Sequence, residues 1–319
     1  MAFFRSMTGV SPVLGGVLAY GVYRVFYIEA GINGLGRRFP TQALSLDNAG
    51  AAGDAGKALG LLSWGVTGTF FVLAFIGTSV VLGSIIGDAL RTQGQRHRWT
   101  VIGTIALLAV LVGVFTRSDN PFAVDSFNAT LLEAFAMLDV AEADRLLMTF
   151  TPMMLVVVVL LMCAAWATLS AEVGPGEAPG MHLRTQTRNI NTALFAGAIM
   201  LVAGVVHAGA IHRLPNVLLA ESATSSWDEL IQGLSASTGA VWTFILLGIY
   251  LPTLAVLRTR ARTLAFEAVD EKTPEKIEQW LASHGLTVHF PQSLAQIGAL
   301  LSPLLIGGPA SPLIGIFGS

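Results

Sequence analysis

Long apolar runs separated by short polar segments dominate the pattern of this chain. The clearest run, from Ala58 to Gly87, contains no charged residue and lies between Lys57 and Asp88. About 20 apolar residues cross a bilayer core, so this run predicts a transmembrane helix. The same criterion predicts six spans, at residues 7–28, 58–87, 99–116, 146–170, 192–212 and 237–257. The sequence therefore predicts an all-α, polytopic integral membrane protein, with the lipid bilayer as its first partner.

The spans divide the chain into a transmembrane domain, residues 1–262, and a tail, residues 263–319. Basic residues near span ends concentrate on the side that holds Arg91, Arg184 and Arg258, which predicts that both termini are cytoplasmic. Such a charge pattern is typical of a multi-pass protein of the bacterial inner membrane. The three outer loops, about 29–57, 117–145 and 213–236, are long enough to hold structure, and helices are expected at 122–147 and 227–231.

Composition supports the membrane assignment and excludes some partners. Only 12% of the residues are charged and the mean hydropathy is +0.67, whereas soluble domains carry about 25% charged residues. The net charge of −2 provides no basic surface, so a nucleic-acid partner is not expected. A single cysteine, Cys163, excludes an intramolecular disulfide.

The tail contains signals for two further helices. Thr273 and Pro274 form a start signal and Gly285 a stop signal, which predicts a helix over 274–284. The apolar run that follows, residues 294–305, is too short and too interrupted by Pro303 to predict a span. Because this run must bury its surface, we expect residues 273–319 to mediate self-association or contact with other membrane subunits.

Two polar groups fall at membrane depth and are candidate functional residues. Arg24 lies near the end of the first span, close to Glu29, and is either a functional charge or a side chain that reaches the outer headgroups. His207 lies in the fifth span and either bonds a neighbouring helix or relays protons. A haem would need a second axial histidine on another span, and none is present, so no cofactor and no metal site are predicted.

Charges and glycines at the inner ends of the spans provide the remaining candidates. Asp88 and Glu172 each end a span and either form an acidic ring in a symmetric oligomer or mark the end of the lipid. Gly83 and Gly87 form a small-xxx-small pattern in the second span, which is typical of close helix packing. That span is either a central packing helix or a pore-lining helix.

These features leave three functions open. The long glycine-rich second span, the acidic outer loops and the tail favour a homo-oligomeric ion channel or pore. The absence of a self-sufficient site favours a structural or accessory subunit of a larger complex. Pro152 and Pro252 inside spans favour a secondary transporter. Paired carboxylates, metal-ligand spacing and nucleophile motifs are missing from the sequence, so an enzyme is not expected, and the alternative of an enzyme acting on lipid would have to use residues of the outer loops.

Overall fold

The chain forms long helices that match the apolar runs. The computed structural model describes residues 54–92, 140–170, 178–213, 221–286 and 294–307, and no strand occurs among them. The helices are α1 (Asp54–Thr92), α2 (Val140–Ser170), α3 (Pro179–Arg213), α4 (Glu221–Ala268), α5 (Pro274–Ser283) and α6 (Leu294–Gly307). The first four are long and apolar enough to cross a membrane. The all-α class is confirmed, and four predicted spans coincide with these helices, which could cross a membrane.

The other two predicted spans, 7–28 and 99–116, lie outside the described residues. The count of six spans and the side of each terminus therefore stay predictions. Following the predicted orientation, we call the side on which Thr92 and Ser170 lie the inner side and the opposite side the outer side.

Helix α3 runs antiparallel to α1 and α2. Thr67 contacts His207 and Thr78 contacts Ala196, so eleven residues separate the contacts on each helix. Towards α2, Gly204 meets Met154 and Gly197 meets Leu161, and seven positions separate the two contacts on each helix. Because the separations on the paired helices are equal, α3 keeps one register with α1 and with α2 over two to three helical turns.

Helix α4 also runs antiparallel to α3. Tyr250 of α4 lies beside Asn191 of α3 near the inner side, and Ser235 lies beside Gly209 near the outer side. Helix α3 thus contacts α1, α2, α4 and α6 and lies at the centre of the described part. Only 33% of the apolar window of the glycine-rich α1 is buried, compared with 72% for α2, so α1 is not the central packing helix of the described part, and its pore-lining position stays a prediction.

The helices extend beyond the lipid limits that hydropathy indicates. α3 begins at Pro179, thirteen residues before the predicted span, because Gln186 donates to a carbonyl at the inner end of α2 and Leu183 is buried. The expected short outer helix at 227–231 is not separate but is the outer part of α4, and no Gly or Pro interrupts the chain from Glu221 to that point. The part of the predicted outer helix that is described, from Val140 onward, likewise continues into α2.

The predicted tail helix over 274–284 is present as α5. Thr273 precedes it with an extended backbone, but its side chain makes no cap bond, and its carbonyl accepts from the Ile277 amide at 3.1 Å instead. Gly285 ends the helix at a φ of +64°, a conformation that glycine adopts without steric cost. The amide of Leu286 donates to the carbonyl of Leu281 at 2.8 Å, which closes the turn.

Helix α6 packs against the spans of its own chain. It contacts α3 and α4, and Gly239 of α4 lies directly against the backbone of Pro303. Pro303 cannot donate to the carbonyl of Ala299, and the Ser302 hydroxyl bonds that carbonyl at 2.8 Å instead. Part of the apolar surface that we expected to face another chain is thus covered internally, while Ile297 and Leu305 stay exposed.

Candidate functional site

His207 lies in an aromatic site between α1 and α3. Trp64, Thr67 and Phe71 share one face of α1, since they are three and four residues apart, and all three contact the imidazole. The ring centroid of His207 is 5.5 Å from that of Phe71 and 6.5 Å from that of Trp64. Only 3% of His207 is exposed, so the site is closed to bulk solvent.

The hydrogen bonds of Thr67 define the tautomer of His207. The Thr67 hydroxyl donates to the carbonyl of Trp64 at 3.0 Å, and its oxygen lies 3.3 Å from Nδ1 of His207. Because a hydroxyl has one proton to donate, Thr67 accepts from Nδ1, and Nδ1 carries the hydrogen. The lone pair of the neutral imidazole is then on Nε2. His207 thus bonds a neighbouring helix through Nδ1, and the proton relay stays a prediction.

On the inner side of His207, helices α1, α2 and α3 approach one another closely. A side chain at Gly204 would meet the end of Met154 at 2.5 Å and the Phe71 ring at 3.5 Å. Further inward, the Thr78 hydroxyl donates to the carbonyl of Ala196 at 3.0 Å. Both buried threonines of α1, Thr67 and Thr78, therefore bond α3 and hold the two helices together.

Asp88, Gly83 and Gly87 lie on the opposite side of α1, against which no other described helix packs. We define the open face of α1 as its exposed stripe of large apolar residues and glycines, which ends at the inner side in Asp88 and Arg91. Its members are Leu62, Gly65, Val66, Leu73, Ile76, Gly77, Val80, Gly83 and Gly87. No described atom lies within 4 Å of a Cβ built on any of these glycines. Asp88 pairs with Arg91 at 3.7 Å, and both side chains are exposed.

Three predicted site residues cannot be placed. Arg24, Glu29 and Glu172 lie outside the described residues. Among the residues that are described, no group of three His, Cys, Asp or Glu side chains is positioned to hold a metal ion.

The structure adds a polar contact among three helices that the sequence did not reveal. The amide oxygen of Asn191 in α3 accepts from the Tyr250 hydroxyl of α4 at 2.9 Å and from Gln296 Nε2 of α6 at 3.2 Å. One acceptor thus joins three helices near the inner side. Isolated Asn, Tyr and Gln residues are common at span ends, so no sequence signal separates this contact from ordinary interface residues.

A second polar contact stabilises the inner end of α2. The last carbonyls of a helix have no partner within it. Gln186 Nε2 donates to the carbonyl of Thr168 at 2.7 Å, and Arg260 Nη1 donates to the carbonyl of Leu169 at 2.6 Å. The positive guanidinium also lies at the negative end of the helix dipole, where a cation is favourable.

Comparison with known proteins identifies no relative. No family model, no curated protein and no solved structure matches the chain.

Proposed function

We propose that this integral membrane protein is a homo-oligomeric, channel-type protein whose subunits meet along the open face of α1. The observation that carries the proposal is the combination of exposed glycines and large apolar residues on that face. Glycine has no side chain for lipid to contact, and this lets the backbone of another helix approach closely. Gly83 and Gly87 form such a pattern, and Val80, one turn earlier, is 66% exposed.

A closed ring of subunits around this face would have two features of an ion path. Leu73, Ile76 and Val80 would form an apolar constriction, which is one way in which channels close by excluding water. At the inner end, Asp88 would repeat once per subunit as a ring of carboxylates, and such rings select for cations. The neighbouring Arg91 would moderate this charge.

A conductance measurement on Asp88→Asn tests the pore. In reconstituted bilayers we expect the cation conductance of this variant to fall by about twofold or more at low salt, and the difference to shrink at high salt, where charge is screened. Glu278→Gln is the matched control, because Glu278 is also an exposed carboxylate paired with an arginine but lies away from the open face. Unchanged conductance and selectivity in Asp88→Asn would remove the acidic ring.

A cross-linking measurement tests the interface separately. In a Cys163→Ala background, each chain with Ile76→Cys carries a single thiol, so any disulfide joins two chains. Ile199→Cys on α3 is the control, since Ile199 is 56% exposed and Ile76 is 52% exposed. We expect cross-linked dimers with Ile76→Cys and few with Ile199→Cys. Equal yields would refute the assignment of the interface to α1.

An accessory subunit and a secondary transporter would each be recognised by a different measurement. In an accessory subunit the open face would contact a different chain, and the extracted particle would hold several proteins in fixed ratio. A secondary transporter is favoured by one observation, the proline-containing α6 packed between α3 and α4, because interrupted helices form transporter sites. It would be recognised by saturable exchange of substrate without channel conductance.

A further inference from the structure

Helix α6 lies in the groove between α3 and α4, and two hydrogen bonds fix its direction. Near its start, Gln296 bonds Asn191 of α3. Near its end, the amide of Leu304 donates to the Thr243 hydroxyl of α4 at 3.2 Å. Since Tyr250, at the level of Asn191, is closer to the inner side than Thr243, α6 runs outward, antiparallel to α4.

Leu304, three residues before the outer end of α6, lies half-way along the apolar part of α4. That part contains no charged residue from Leu230 to Leu257, and Thr243 is at its midpoint. The charge-free part of α3 extends from Asn189 to His212. Its midpoint lies at the same depth as the midpoint of the charge-free part of α4, because Asn191 faces Tyr250 and Gly209 faces Ser235. Leu304 is at this midpoint and α6 ends three residues later at Gly307, so the C-terminal end of this 14-residue helix lies inside the predicted bilayer, one to two helical turns outward of its middle.

Such a helix end attracts positive charge. Its last four carbonyls have no partner within the helix, and the helix dipole adds a partial negative charge there. In hydrocarbon, polar backbone groups must be satisfied locally. Half-helices that end inside the membrane supply carbonyl ligands for cations in transporters.

Ser235 is the second observation that indicates a ligand at this end. It follows Gly239 and Thr243 outward on one stripe of α4, at four-residue spacing, and both of those residues contact α6. At 1.5 Å per residue, Ser235 is level with the carbonyl end of α6. It is only 4% exposed, and its hydroxyl has no hydrogen-bond partner among the described residues.

We propose that the carbonyl end of α6 and the Ser235 hydroxyl form a binding site for a monovalent cation inside the membrane domain. A hydroxyl and carbonyl dipoles supply partial charges only, whereas divalent ions usually require carboxylates. The site depends on the fold of α3, α4 and α6 and not on the channel proposal, so failure of either leaves the other standing.

The first test measures cation-dependent stability of the purified full chain. NaCl or KCl replaces N-methyl-glucamine chloride at constant ionic strength, and the melting temperature is recorded. We expect a saturable rise with one of the two cations, and Ser235→Ala to weaken the apparent affinity about tenfold. Ser84→Ala, an exposed serine on α1, is the control and should bind as the wild type does. Equal effects of all cations, or wild-type affinity in Ser235→Ala, would overturn the proposal.

A direct measurement keeps the test decisive if Ser235→Ala does not fold. Radioactive sodium or rubidium, the latter as a potassium substitute, is bound to the wild-type protein in detergent at equilibrium. We expect about one ion per chain, displaced by the unlabelled cation and not by N-methyl-glucamine. Ser235→Thr, which keeps the hydroxyl, should retain binding. Absence of saturable binding to the wild type would overturn the proposal.

Discussion

The contact between Gly239 and α6 leads to the sharpest stability prediction. A methyl group in Gly239→Ala would lie 2.9 Å from the carbonyl carbon of Pro303 and 3.1 Å from Cα of Leu304, whereas ordinary van der Waals contact is 3.4 to 4 Å. The carbonyl oxygen of Pro303 would be closer still. All three atoms belong to the backbone, so no side-chain rotation relieves the overlap and α6 must move away from α4.

Two terms set the size of the effect. Overpacking costs about 1–3 kcal/mol, and moving α6 also weakens the bond from the Leu304 amide to Thr243, which is worth about 0.5–1.5 kcal/mol. Alanine recovers up to about 1 kcal/mol as a better helix former than glycine. The overlap outweighs this gain, so we expect a net destabilisation of about 1–3 kcal/mol.

Gly233→Ala is the matched control for this change. Gly233 lies in the same helix, and nothing is within 4 Å of its Cβ position, so only the gain in helix propensity remains. In one detergent, we expect the melting temperature to fall by several degrees in Gly239→Ala and to stay level or rise in Gly233→Ala. Equal melting of the two variants, or a more stable Gly239→Ala, would refute the docking of α6 against α4.

Two further pairs of variants test the polar contacts by the same melting measurement. Thr67→Val keeps the shape of the threonine and removes one hydrogen bond to His207, so we expect the free energy of unfolding to fall by about 1 kcal/mol. His207→Ala also leaves a cavity and should lower the free energy of unfolding by about 2–5 kcal/mol. Equal losses in the two variants would contradict the aromatic packing of the imidazole. Arg260→Met should lose about 1.5–3 kcal/mol, because it removes a charged donor from the end of α2, whereas Arg262→Met removes only an exposed ion pair and should lose at most about 1 kcal/mol. A larger loss in Arg262→Met would contradict the role given to Arg260.

Hydropathy predicted the described spans because lipid contact and helix length constrain composition directly. The uncharged run from Ala58 to Gly87 lies inside α1, and the Thr273, Pro274 and Gly285 signals bound α5 correctly. The same pattern could not predict that α3 begins at Pro179. The residues before Arg188 are polar enough to lie outside lipid, and their helix depends on packing against α2 rather than on the bilayer.

The interhelical contacts could not be predicted, because they depend on register. Asn191, Tyr250 and Gln296 are far apart in the chain, and only the packing of α3, α4 and α6 brings them together. The depth of α6 has the same origin, since residues 294–305 are too short to predict a span and only contacts with Gly239 and Thr243 place them. His207 could be identified as a candidate from its position in an apolar run, but its bond to Thr67 required the pairing of α1 with α3.

The mass and composition of the particle extracted gently from its native membrane test the central proposal most directly. We expect a closed homo-oligomer that contains no other protein and whose mass is a whole multiple of the 33.6 kDa chain. A particle of one chain, or one that holds different proteins in fixed ratio, would contradict the proposed assembly along the open face of α1.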